Sequence, residues 1–512
     1  MSLAPFSTRF ASGAIVCTVD GLAAGAGVAA LRDGGCAVDG AIAAGAVLAV
    51  THQHQCGLGG DLLALVHRDG DERPSALNAS GRAGAGADPD RLRVTGHDQM
   101  PPTGDPACAP VPGCVDGWIA LHERFGRLPL ERLLEPARLH AAEGFAASES
   151  LAAAMRLLSD VPDAEDYVSS GTPRPGQVVR RPGVARALAA IARDGRRGFY
   201  EGEFGQALLE LGEGEYTAGD LARRNADWVA PLGLEAFGCR LWSLPPNSQG
   251  YLLLRSAAIA SGLKLPEPEH PDWAHLLIEA SRESLADRDL VWHEGSDGPS
   301  LIAAERITAM RARISENRAA RPGATAIPGG TVSLCVVDAQ RMAVAMLQSN
   351  FVGWGSMVFV PGTGVALHNR GFSFSLRPDH PAEYGPGRRP PHTLAPALLT
   401  GAGGSLEAAA ATRGGHIQPQ VLLQLLARVY MASQSPGEAI AAGRWAFAGD
   451  QVVLEGQAPG RWFDGLAARG HQVLRRGSFQ EEFGQAQLVV SHGDHLAAAS
   501  DPRSATWAAA SL

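Results

Sequence analysis

The segment Ile327–Asp338 constrains the fold most strongly, because two adjacent glycines lead into an apolar strand that begins with a threonine. The chain reads Ile-Pro-Gly-Gly-Thr-Val-Ser-Leu-Cys-Val-Val-Asp across this segment. Glycine tolerates strained backbone and adds no side chain, so the hydroxyl of Thr331 can reach the carbonyl of Gly330. A Gly-Gly-Thr sequence before a strand is also typical of an ordinary turn. Other parts of the chain therefore have to decide between a turn and a reactive site.

Cleavage between Gly330 and Thr331 would place a hydroxyl nucleophile and a free α-amine on one residue. An α-amine titrates near pH ~8, so it can act as a general base close to neutral pH. Threonine paired with its own N-terminal amine is an established way to activate a weak hydroxyl. The stretch Arg321–Gly330 is rich in Pro, Gly and Ala and is typical of a linker. The sequence thus allows a nucleophile at Thr331, at the end of a linker.

Helical and strand patterns follow one another without a regular βαβ repeat, which favours an α+β class over a doubly wound sheet. Two apolar runs, 332–337 and 342–347, flank Asp338–Arg341 and predict a hairpin. A capping box is predicted at Thr217–Asp220. We predict strands over 62–67, 75–78 and 239–244, and helices over 20–33, 37–50, 115–125, 131–143, 272–290, 300–318, 420–432 and 461–470.

Composition excludes several classes of protein. The 512 residues carry a net charge of −9 without a basic run, which argues against nucleic acid as a partner. The longest apolar stretches are too short and alanine-rich to span a bilayer, so no membrane segment is expected. The first six residues lack the regions of a signal peptide, and a cytoplasmic location is expected. Seven scattered cysteines without a Cys-x-x-Cys pair predict reduced thiols in the core.

Neither a cofactor nor a metal is expected. Gly57–Gly60 follows a predicted helix and precedes a predicted strand, which is the reverse of a dinucleotide-binding fingerprint. The segment His52–Cys56 offers metal-ligating atoms, but no second cluster with zinc spacing accompanies it, so a polar helix end is favoured. His275 and Glu279 lie one helical turn apart and are interpreted as an ordinary i,i+4 pair.

Two kinds of loop feature have the chemistry of a site. Gly414 and Gly415 precede a helical run, where adjacent glycines expose N–H groups that can bind an oxyanion. A plain helix start has the same pattern. Arg82 and Arg370 each present a planar fork that matches a carboxylate, although a loop arginine is more often exposed to solvent.

Taken together, these segments resemble the γ-glutamyltransferase family of N-terminal-nucleophile hydrolases. The resemblance implies a four-layer αββα sandwich and self-cleavage between Gly330 and Thr331. The products would be a large chain 1–330 and a small chain 331–512, which together form one domain. The motifs that carry the resemblance follow the family's order along nearly the whole chain: Asp33–Asp39, Gly57–Gly60, Asn78–Arg82, Val111–Gly113, Leu134–Ala137, Glu143–Phe145, Pro245–Pro246, Ala286–Arg288 and Asp501–Arg503.

The resemblance also implies roles for single residues. Thr331 would be the nucleophile, and Ser349 matches the hydroxyl residue that supports it. Gly414 and Gly415 match the glycines of the oxyanion hole. Arg82 matches the arginine that holds a substrate carboxylate.

Departures from the family pattern concern the substrate pocket. Val332-Ser333 stands where γ-glutamyl enzymes carry Thr-His, and Phe351 replaces an asparagine. Ser373 replaces the acid that binds the glutamyl α-amine, and His392-Thr393 replaces two serines that assist the carboxylate. Without that acid, a buried ammonium loses its charge partner at a cost of roughly several kcal/mol. We expect these substituted positions and the anion-binding fork of Arg370 to line a pocket that is not built for glutamate.

Gln348–Asn350, Pro361–Gly364 and Asn369–Gly371 resemble a branch of the family that includes oxamate amidohydrolase and glutathione-hydrolase-like proteins. We expect an autoprocessed amidohydrolase that cleaves a small acidic amide through an acyl-enzyme on Thr331. The alternatives are γ-glutamyl hydrolysis or transfer on glutathione, a glutaryl-type acylase, and an unprocessed, non-catalytic binding relative. The expected partners are a small-molecule amide and the two chains of one precursor; a higher oligomer, and hydrolysis versus transfer, stay open.

Overall fold

A computed structural model of the chain describes residues 8–168, 171–212, 214–320, 329–504 and 506–512. Most of the predicted linker at 321–330 lies outside the described residues, and so does the N-terminal segment that bears on a signal peptide. Among the described residues, no helix is long and apolar enough to cross a membrane.

Short strands and helices of moderate length make up the described residues. The strands are β1 Arg9–Ala11, β2 Ile15–Thr18, β3 Asp61–His67, β4 Ser75–Ala79, β5 Phe145–Ala146, β6 Val178–Val179, β7 Asp227–Val229, β8 Leu232–Ala236, β9 Cys239–Ser243, β10 Gly330–Val337, β11 Ala343–Phe351, β12 Phe359–Val360, β13 Val365–Ala366, β14 Ala397–Thr400, β15 Leu406–Thr412, β16 Trp445–Ala448, β17 Gln451–Leu454, β18 Val473–Arg475, β19 Ala486–Ser491, β20 Leu496–Ser500 and β21 Ala508–Ser511. The helices are α1 Gly21–Arg32, α2 Ala37–Thr51, α3 Pro89–Val94, α4 Cys114–Phe125, α5 Leu130–Glu143, α6 Glu149–Met155, α7 Glu165–Val168, α8 Pro182–Asp194, α9 Arg196–Tyr200, α10 Glu203–Leu211, α11 Ala218–Ala222, α12 Gly250–Ser261, α13 Pro271–Leu285, α14 Arg288–Val291, α15 Gly298–Leu301, α16 Ala304–Ala312, α17 Gln418–Met431, α18 Pro436–Ala441 and α19 Gly460–Ala468.

Two seven-stranded sheets form the centre of the fold. The first sheet has the strand order β1-β20-β19-β15-β14-β9-β8, and the second has the order β21-β2-β10-β11-β3-β4-β7. Neighbouring strands in both sheets run antiparallel. Each sheet contains strands from before and after residue 330, so neither segment builds a sheet by itself.

Apolar side chains on both faces of each sheet explain the layering. Between the sheets, Leu63, Leu65 and Leu347 of the second sheet belong to one buried cluster with Leu398 and Val489 of the first. Helices α1, α2 and α4 cover the outer face of the second sheet, and α12 and α17 cover the outer face of the first. Burial of apolar surface in all three interfaces stabilises a helix–sheet–sheet–helix stack. The α+β class and the αββα sandwich are confirmed.

Glycine allows close approach where the layers meet the β11 strand. Helix α2 is buried along its whole length, and a Cβ on Gly45 would lie 2.4 Å from Oε1 of Gln348. A Cβ on Gly60 would lie 2.6 Å from the carbonyl oxygen of Ser349. The turn at Gly57–Gly60 therefore serves to bring backbone against β11, with α2 before it and β3 after it.

Local patterns predicted many elements well. The helices at 20–33, 37–50, 115–125 and 131–143, the capping box of α11 and the β10–β11 hairpin are all present. The helix predicted over 272–290 is wrong, because it ends at Leu285 and a short helix follows from Arg288. At this break, Asp287 pairs with the fully buried Arg255, with Oδ1 2.7 Å from Nη1. The helix predicted over 300–318 is likewise two short helices, α15 and α16.

We expect Gly60→Ala to lower stability by about 1–3 kcal/mol, the usual cost of overpacking. The added methyl would overlap the Ser349 carbonyl and push β11 away from the turn. Chemical denaturation measures the change in the free energy of unfolding. Gly25→Ala is the matched control, because no atom outside its own helix lies within 4 Å of a Cβ at Gly25. A Gly60→Ala protein as stable as the wild type would contradict this account.

Candidate active site

The junction between Gly330 and Thr331 lies at the start of β10, inside the second sheet. Gly330 pairs with Phe351 on β11, and the register then shifts between Gly330 and Val332. Such bulges redirect side chains and are frequent beside active sites. Thr331 is 1% exposed, so its hydroxyl lies in a closed environment.

Two hydroxyl groups converge on the carbonyl of Gly330. Oγ1 of Thr331 donates to this oxygen at 2.7 Å, and Oγ of Ser349 donates to it at 2.6 Å. The two hydroxyl oxygens are 3.1 Å apart. A negative charge that develops on the Gly330 oxygen would therefore meet a hydroxyl donor already in place.

A buried guanidinium lies behind Ser349. Nη2 of Arg370 is 3.4 Å from Oγ of Ser349, and Nη1 donates to Oγ1 of Thr393 at 3.0 Å. The guanidinium stacks on the ring of Phe351, 3.9 Å from its centroid, and cation–π contact stabilises such a desolvated charge. Phe351 takes a positive φ of 76°, and its N–H donates to Oγ of Ser349 at 2.9 Å. Phe351, one of the positions that depart from the family pattern, thus contacts both Ser349 and Arg370.

Asp61 is the carboxylate closest to this guanidinium among the described ion pairs. Its Oδ2 lies 3.9 Å from Nε of Arg370 and accepts from Nε2 of His392 at 2.9 Å. The N–H of Gly81 donates to Oδ1 at 2.8 Å, and Nδ1 of His368 lies 3.2 Å from Oδ2. Burial alone would raise the pKa of Asp61, but the neighbouring histidines hold it far below its usual range. Asp61 therefore stays ionised and balances the charge of Arg370.

Burial opposes charge on the other members of this group. It lowers the pKa of Arg370 to about 9, against the opposing effect of Asp61, so the guanidinium stays charged at neutral pH. Burial and the nearby Arg370 charge lower the pKa of His392 to about 3. Neutral His392 accepts from the Leu394 N–H at Nδ1 and donates from Nε2 to Asp61. His392 therefore orients Asp61.

The glycine pair Gly414 and Gly415 lies beside Gly329, close to the junction between Gly330 and Thr331. Their φ angles are 133° and 60°, values that favour glycine. A Cβ on Gly329 would lie 2.9 Å from Cα and 3.2 Å from N of Gly415. Within the described part of the chain, no acceptor is assigned to the N–H of either glycine in the pair. Nε2 of Gln249 donates to the carbonyls of Gly415 and Thr393 at 2.8 and 2.6 Å, which ties the glycine pair to the Arg370 group.

Gln55 contacts the carbonyl end of Thr331. In the amide orientation that satisfies both ends, its Nε2 donates to the carbonyl of Thr331 at 3.1 Å. Its Oε1 then accepts from Nη1 of Arg413 at 3.2 Å, and Arg413 directly precedes the glycine pair. Gln55 therefore fixes Thr331 relative to the glycine pair.

Two predicted substrate-binding residues lie apart from this group. Arg82 contacts Oε1 of Glu294 at 2.6 Å, Oδ2 of Asp227 at 3.3 Å and the carbonyl of Gly387 at 3.0 Å. A substrate carboxylate would have to displace one of these carboxylates. Ser373 is half-buried and lines a cavity of about 450 Å³ together with Trp292, Arg377 and His380 among others.

The metal-ligand candidates take different environments. His52 hydrogen-bonds through Nδ1 to Thr51 at 3.0 Å and through Nε2 to Thr506 at 3.4 Å, as a polar helix end does. His275 does not pair with Glu279; its Nδ1 instead lies 2.8 Å from Nε2 of His471. Among the described residues, one group of three ligating side chains converges, and it consists of His275, Glu279 and His471.

Reasoning from the sequence missed Gln55, Asp61 and His368 as members of the site. Asp61 carried a signal, because a carboxylate opening a wholly apolar strand has to be paired when buried. His368 lies two residues before Arg370, so it belonged to the same loop. Gln55 had no signal beyond its polarity, because its contacts with Thr331 and Arg413 are made only in the folded chain.

Comparison with known proteins identifies relatives along the whole chain. The sequence profile of the family described as gamma-glutamyltranspeptidase matches residues 23–511. The oxamate amidohydrolase proenzyme of Klebsiella pneumoniae is 34% identical over 510 residues, covering 94% of this chain and 96% of that protein. The glutathione hydrolase-like YwrD proenzyme of Bacillus subtilis is 32% identical over 507 residues, covering 94% and 95%. The crystal structure of cephalosporin acylase from Bacillus halodurans aligns with a TM-score of 0.92 at 31% identity, covering 99% of this chain and 97% of that one.

We expect Ser349→Ala to slow cleavage after Gly330 by about 10²–10³-fold, the usual cost of losing one oxyanion donor. A time course of fragment formation by mass spectrometry measures the rate. Ser333→Ala is the matched control on β10, because it removes a buried hydroxyl that bonds the Gln485 carbonyl and not Gly330. Ser349→Thr keeps the donor and should cleave. Wild-type cleavage in Ser349→Ala would remove Ser349 from the reaction.

Proposed function

This chain belongs to the gamma-glutamyltranspeptidase family, and we propose that it is a threonine amidohydrolase that activates itself by cleavage between Gly330 and Thr331. We propose further that Thr331 then carries the acyl group of a small acidic amide during hydrolysis. The observation that supports this most directly is the contact of both the Thr331 and Ser349 hydroxyls with the Gly330 carbonyl oxygen, at 2.7 and 2.6 Å.

Self-cleavage begins with attack of Oγ1 of Thr331 on the carbonyl carbon of Gly330. The C–N bond breaks, an ester forms between Gly330 and Oγ1, and the α-nitrogen of Thr331 takes up a proton to become an amine. Water then hydrolyses the ester, which leaves a carboxylate on Gly330 and restores the hydroxyl. Ser349 stabilises the oxyanion of the first step, and Arg370 polarises Ser349 from behind.

Turnover reuses the same hydroxyl on a different carbonyl. The free α-amine of Thr331 accepts the proton of Oγ1 and passes it to the departing amine. The N–H groups of Gly414 and Gly415 donate to the oxyanion that forms on the substrate. Water attacks the resulting acyl-enzyme and releases the acid. Gln55 holds the Thr331 carbonyl, so the amine and the hydroxyl keep their relative positions.

Arg370 suggests the length of the acyl group. Its Nη2 and Oγ1 of Thr331 are at most about 6.5 Å apart, because Oγ of Ser349 lies 3.4 Å from one and 3.1 Å from the other. Because Oγ of Ser349 lies between these two atoms, a carboxylate oxygen about 2.8 Å from Nη2 would lie beside that hydroxyl, on the side of Thr331. Acyl groups of two or three carbons have that reach. An extended glutaryl or γ-glutamyl group places its carboxylate several ångströms farther away.

The residue at position 373 supports the same preference. A serine there gives no negative charge to an α-ammonium group, whereas the Arg370 fork still attracts a carboxylate. The names of the relatives include both an oxamate amidohydrolase and a glutathione hydrolase-like protein. We propose that this chain acts on amides of short dicarboxylic acids, with γ-glutamyl compounds and glutaryl amides as the competing substrates. Arg82 is proposed as a secondary carboxylate contact, reached only by displacing Glu294 or Asp227.

Thr331→Ala should remain a single chain of full length, because the attacking oxygen is gone. The wild-type protein should give two fragments, the smaller one beginning with Thr331, in intact-mass and N-terminal sequence analysis. Thr331→Ser keeps a hydroxyl and should still divide. The same two fragments from Thr331→Ala would show that another group performs the cut. An undivided wild-type protein would indicate the non-catalytic binding relative.

Substrate preference can be measured with a series of amides that differ in the length of the acyl group. We expect kcat/KM of the wild-type enzyme to be highest for oxamate or malonamate and to fall for succinamate, glutaramate and glutamine. Arg370→Gln should lower kcat/KM for the preferred acidic amide by about 10–100-fold, the cost of a hydrogen bond to a charged group. A neutral amide such as propionamide should lose much less. Arg82→Gln is the matched control and should change the ratio of acidic to neutral amides less than Arg370→Gln.

Two further outcomes of this series would decide between the alternatives. A wild-type enzyme that prefers glutathione to every short acidic amide would favour the γ-glutamyl reaction and would overturn the short-acyl proposal. Arg370→Lys keeps the charge without the fork. It separates loss of substrate binding from general loss of the buried charge, because only the buried charge is restored.

A further inference from the structure

A buried group of two histidines and one glutamate joins the two halves of the chain away from the Thr331 site. His275 and Glu279 lie one turn apart on α13, and His471 follows α19, which packs on α13. One ligating atom from each side chain lies within 4.8 Å of the others. All three residues are at least 95% buried.

The hydrogen bonds around His275 leave a lone pair facing this group. Nε2 of His275 lies 2.8 Å from the carbonyl of Ser315; a carbonyl only accepts, so Nε2 carries the proton. Nδ1 of His275 therefore has a lone pair, and it lies 2.8 Å from Nε2 of His471, which donates to it. A carbonyl that fixes the far nitrogen of a histidine is the usual outer contact of a metal-ligating imidazole.

His471 has a second ring nitrogen that can hold its proton when Nε2 binds a cation. Its Nδ1 has no hydrogen-bond partner in the described part of the chain. A cation at Nε2 would move the proton to Nδ1, and the imidazole would stay neutral. Oε1 of Glu279 lies 4.0 Å from Nε2 of His471, and a carboxylate is a third ligand of the right kind.

We propose that His275, Glu279 and His471 form a binding site for a divalent cation of the zinc class. Nδ1, Oε1 and Nε2 would be the ligands, with water in a fourth position. Tetrahedral zinc with bonds of about 2.0–2.1 Å separates its ligand atoms by about 3.3 Å. The distances of 2.8 and 4.0 Å lie on either side of that value, and all three ligand atoms lie within 4.8 Å of one another, so rotations of the side chains would have to bring them onto a common ion.

The charges around the site are balanced before a cation arrives. Nη1 of Arg282 lies 3.0 Å from Oε1 of Glu279, and Arg469 pairs with Asp272. Glu283 pairs with Arg313 on the outer side. A carboxylate oxygen accepts more than one partner, so Glu279 can keep its contact with Arg282 while it binds the cation.

The position of this site suggests what it does. His275 and Glu279 belong to the segment before residue 330, and His471 belongs to the segment after it. One of these residues also contacts the chain ten residues before the proposed cut, because the Ala320 N–H donates to Oε2 of Glu279 at 2.9 Å. If the proposed cut occurs, the cation would link the two chains that the cut produces. The binding itself does not depend on the cut.

The test uses tag-free, chelator-treated wild-type protein and zinc chloride in isothermal titration calorimetry. We expect one equivalent of zinc per chain and a rise of the melting temperature with zinc. His471→Gln and Glu279→Gln should each weaken binding by at least about 100-fold, since each removes one of three ligands. His495→Gln is the matched control, because it disrupts the stacked surface pair His492–His495, whose ring centroids are 4.9 Å apart. It should bind as the wild type does.

Several results would overturn the proposal. The absence of stoichiometric binding in the wild type would do so without any variant. Wild-type affinity in a folded His471→Gln protein, or loss of binding only in His495→Gln, would place the cation elsewhere. X-ray absorption of the zinc-loaded wild type should show only N and O neighbours near 2.0–2.1 Å; a sulfur shell near 2.3 Å would indicate a cysteine site instead. Cleavage and amide hydrolysis in these variants report separately on the Thr331 reaction.

Discussion

A guanidinium without access to water organises the centre of this protein. Arg370 is fully buried, and an uncompensated charge in such a place costs several kcal/mol. Asp61, the ring of Phe351 and the hydroxyl of Thr393 provide its compensation, and each comes from a different segment. The site can therefore form only when both sheets and their loops have packed. The Arg370 guanidinium also lies behind Ser349. The charge that requires this packing is therefore also the one proposed to polarise Ser349 during cleavage.

Each of the two sheets contributes different parts of the proposed site. The second sheet contributes the Gly330–Thr331 junction and Ser349, on neighbouring strands joined by a tight hairpin. The first sheet contributes the glycine pair, which follows its β15 strand. Gln55 and Gln249 connect these parts through hydrogen bonds to backbone carbonyls. The proposed nucleophile on one sheet and the proposed oxyanion hole after the central strand of the other keep their spacing because the apolar layer between the sheets is closely packed.

Local sequence patterns predicted the elements whose causes are local. Helix α2 follows from its alanine run, and the β10–β11 hairpin follows from two β-branched runs around a turn. The role proposed for Thr331 came from the Gly-Gly-Thr junction together with the resemblance to a family, and that of Ser349 came from the resemblance alone. The contacts of Asp61 with His368, Arg370 and His392 were beyond such reasoning, because those partners are about 300 residues away and only the fold brings them together. The break after Leu285 had the same origin, since it places Asp287 against a buried arginine on another helix.

Because strands from both parts of the chain are interleaved, a cut protein would depend on having folded before the cut. β2 belongs to the first part of the chain but lies between β21 and β10 of the last part. A cut after Gly330 would leave two polypeptides, neither of which contains all the strands of either sheet. Only the uncut precursor would have the covalent connection that keeps the strands of each sheet together during folding. Once such a molecule unfolded, its two pieces would have to find each other by diffusion. The lifetime of the folded, cut protein would then be set by its rate of unfolding and not by an equilibrium between folded and unfolded states.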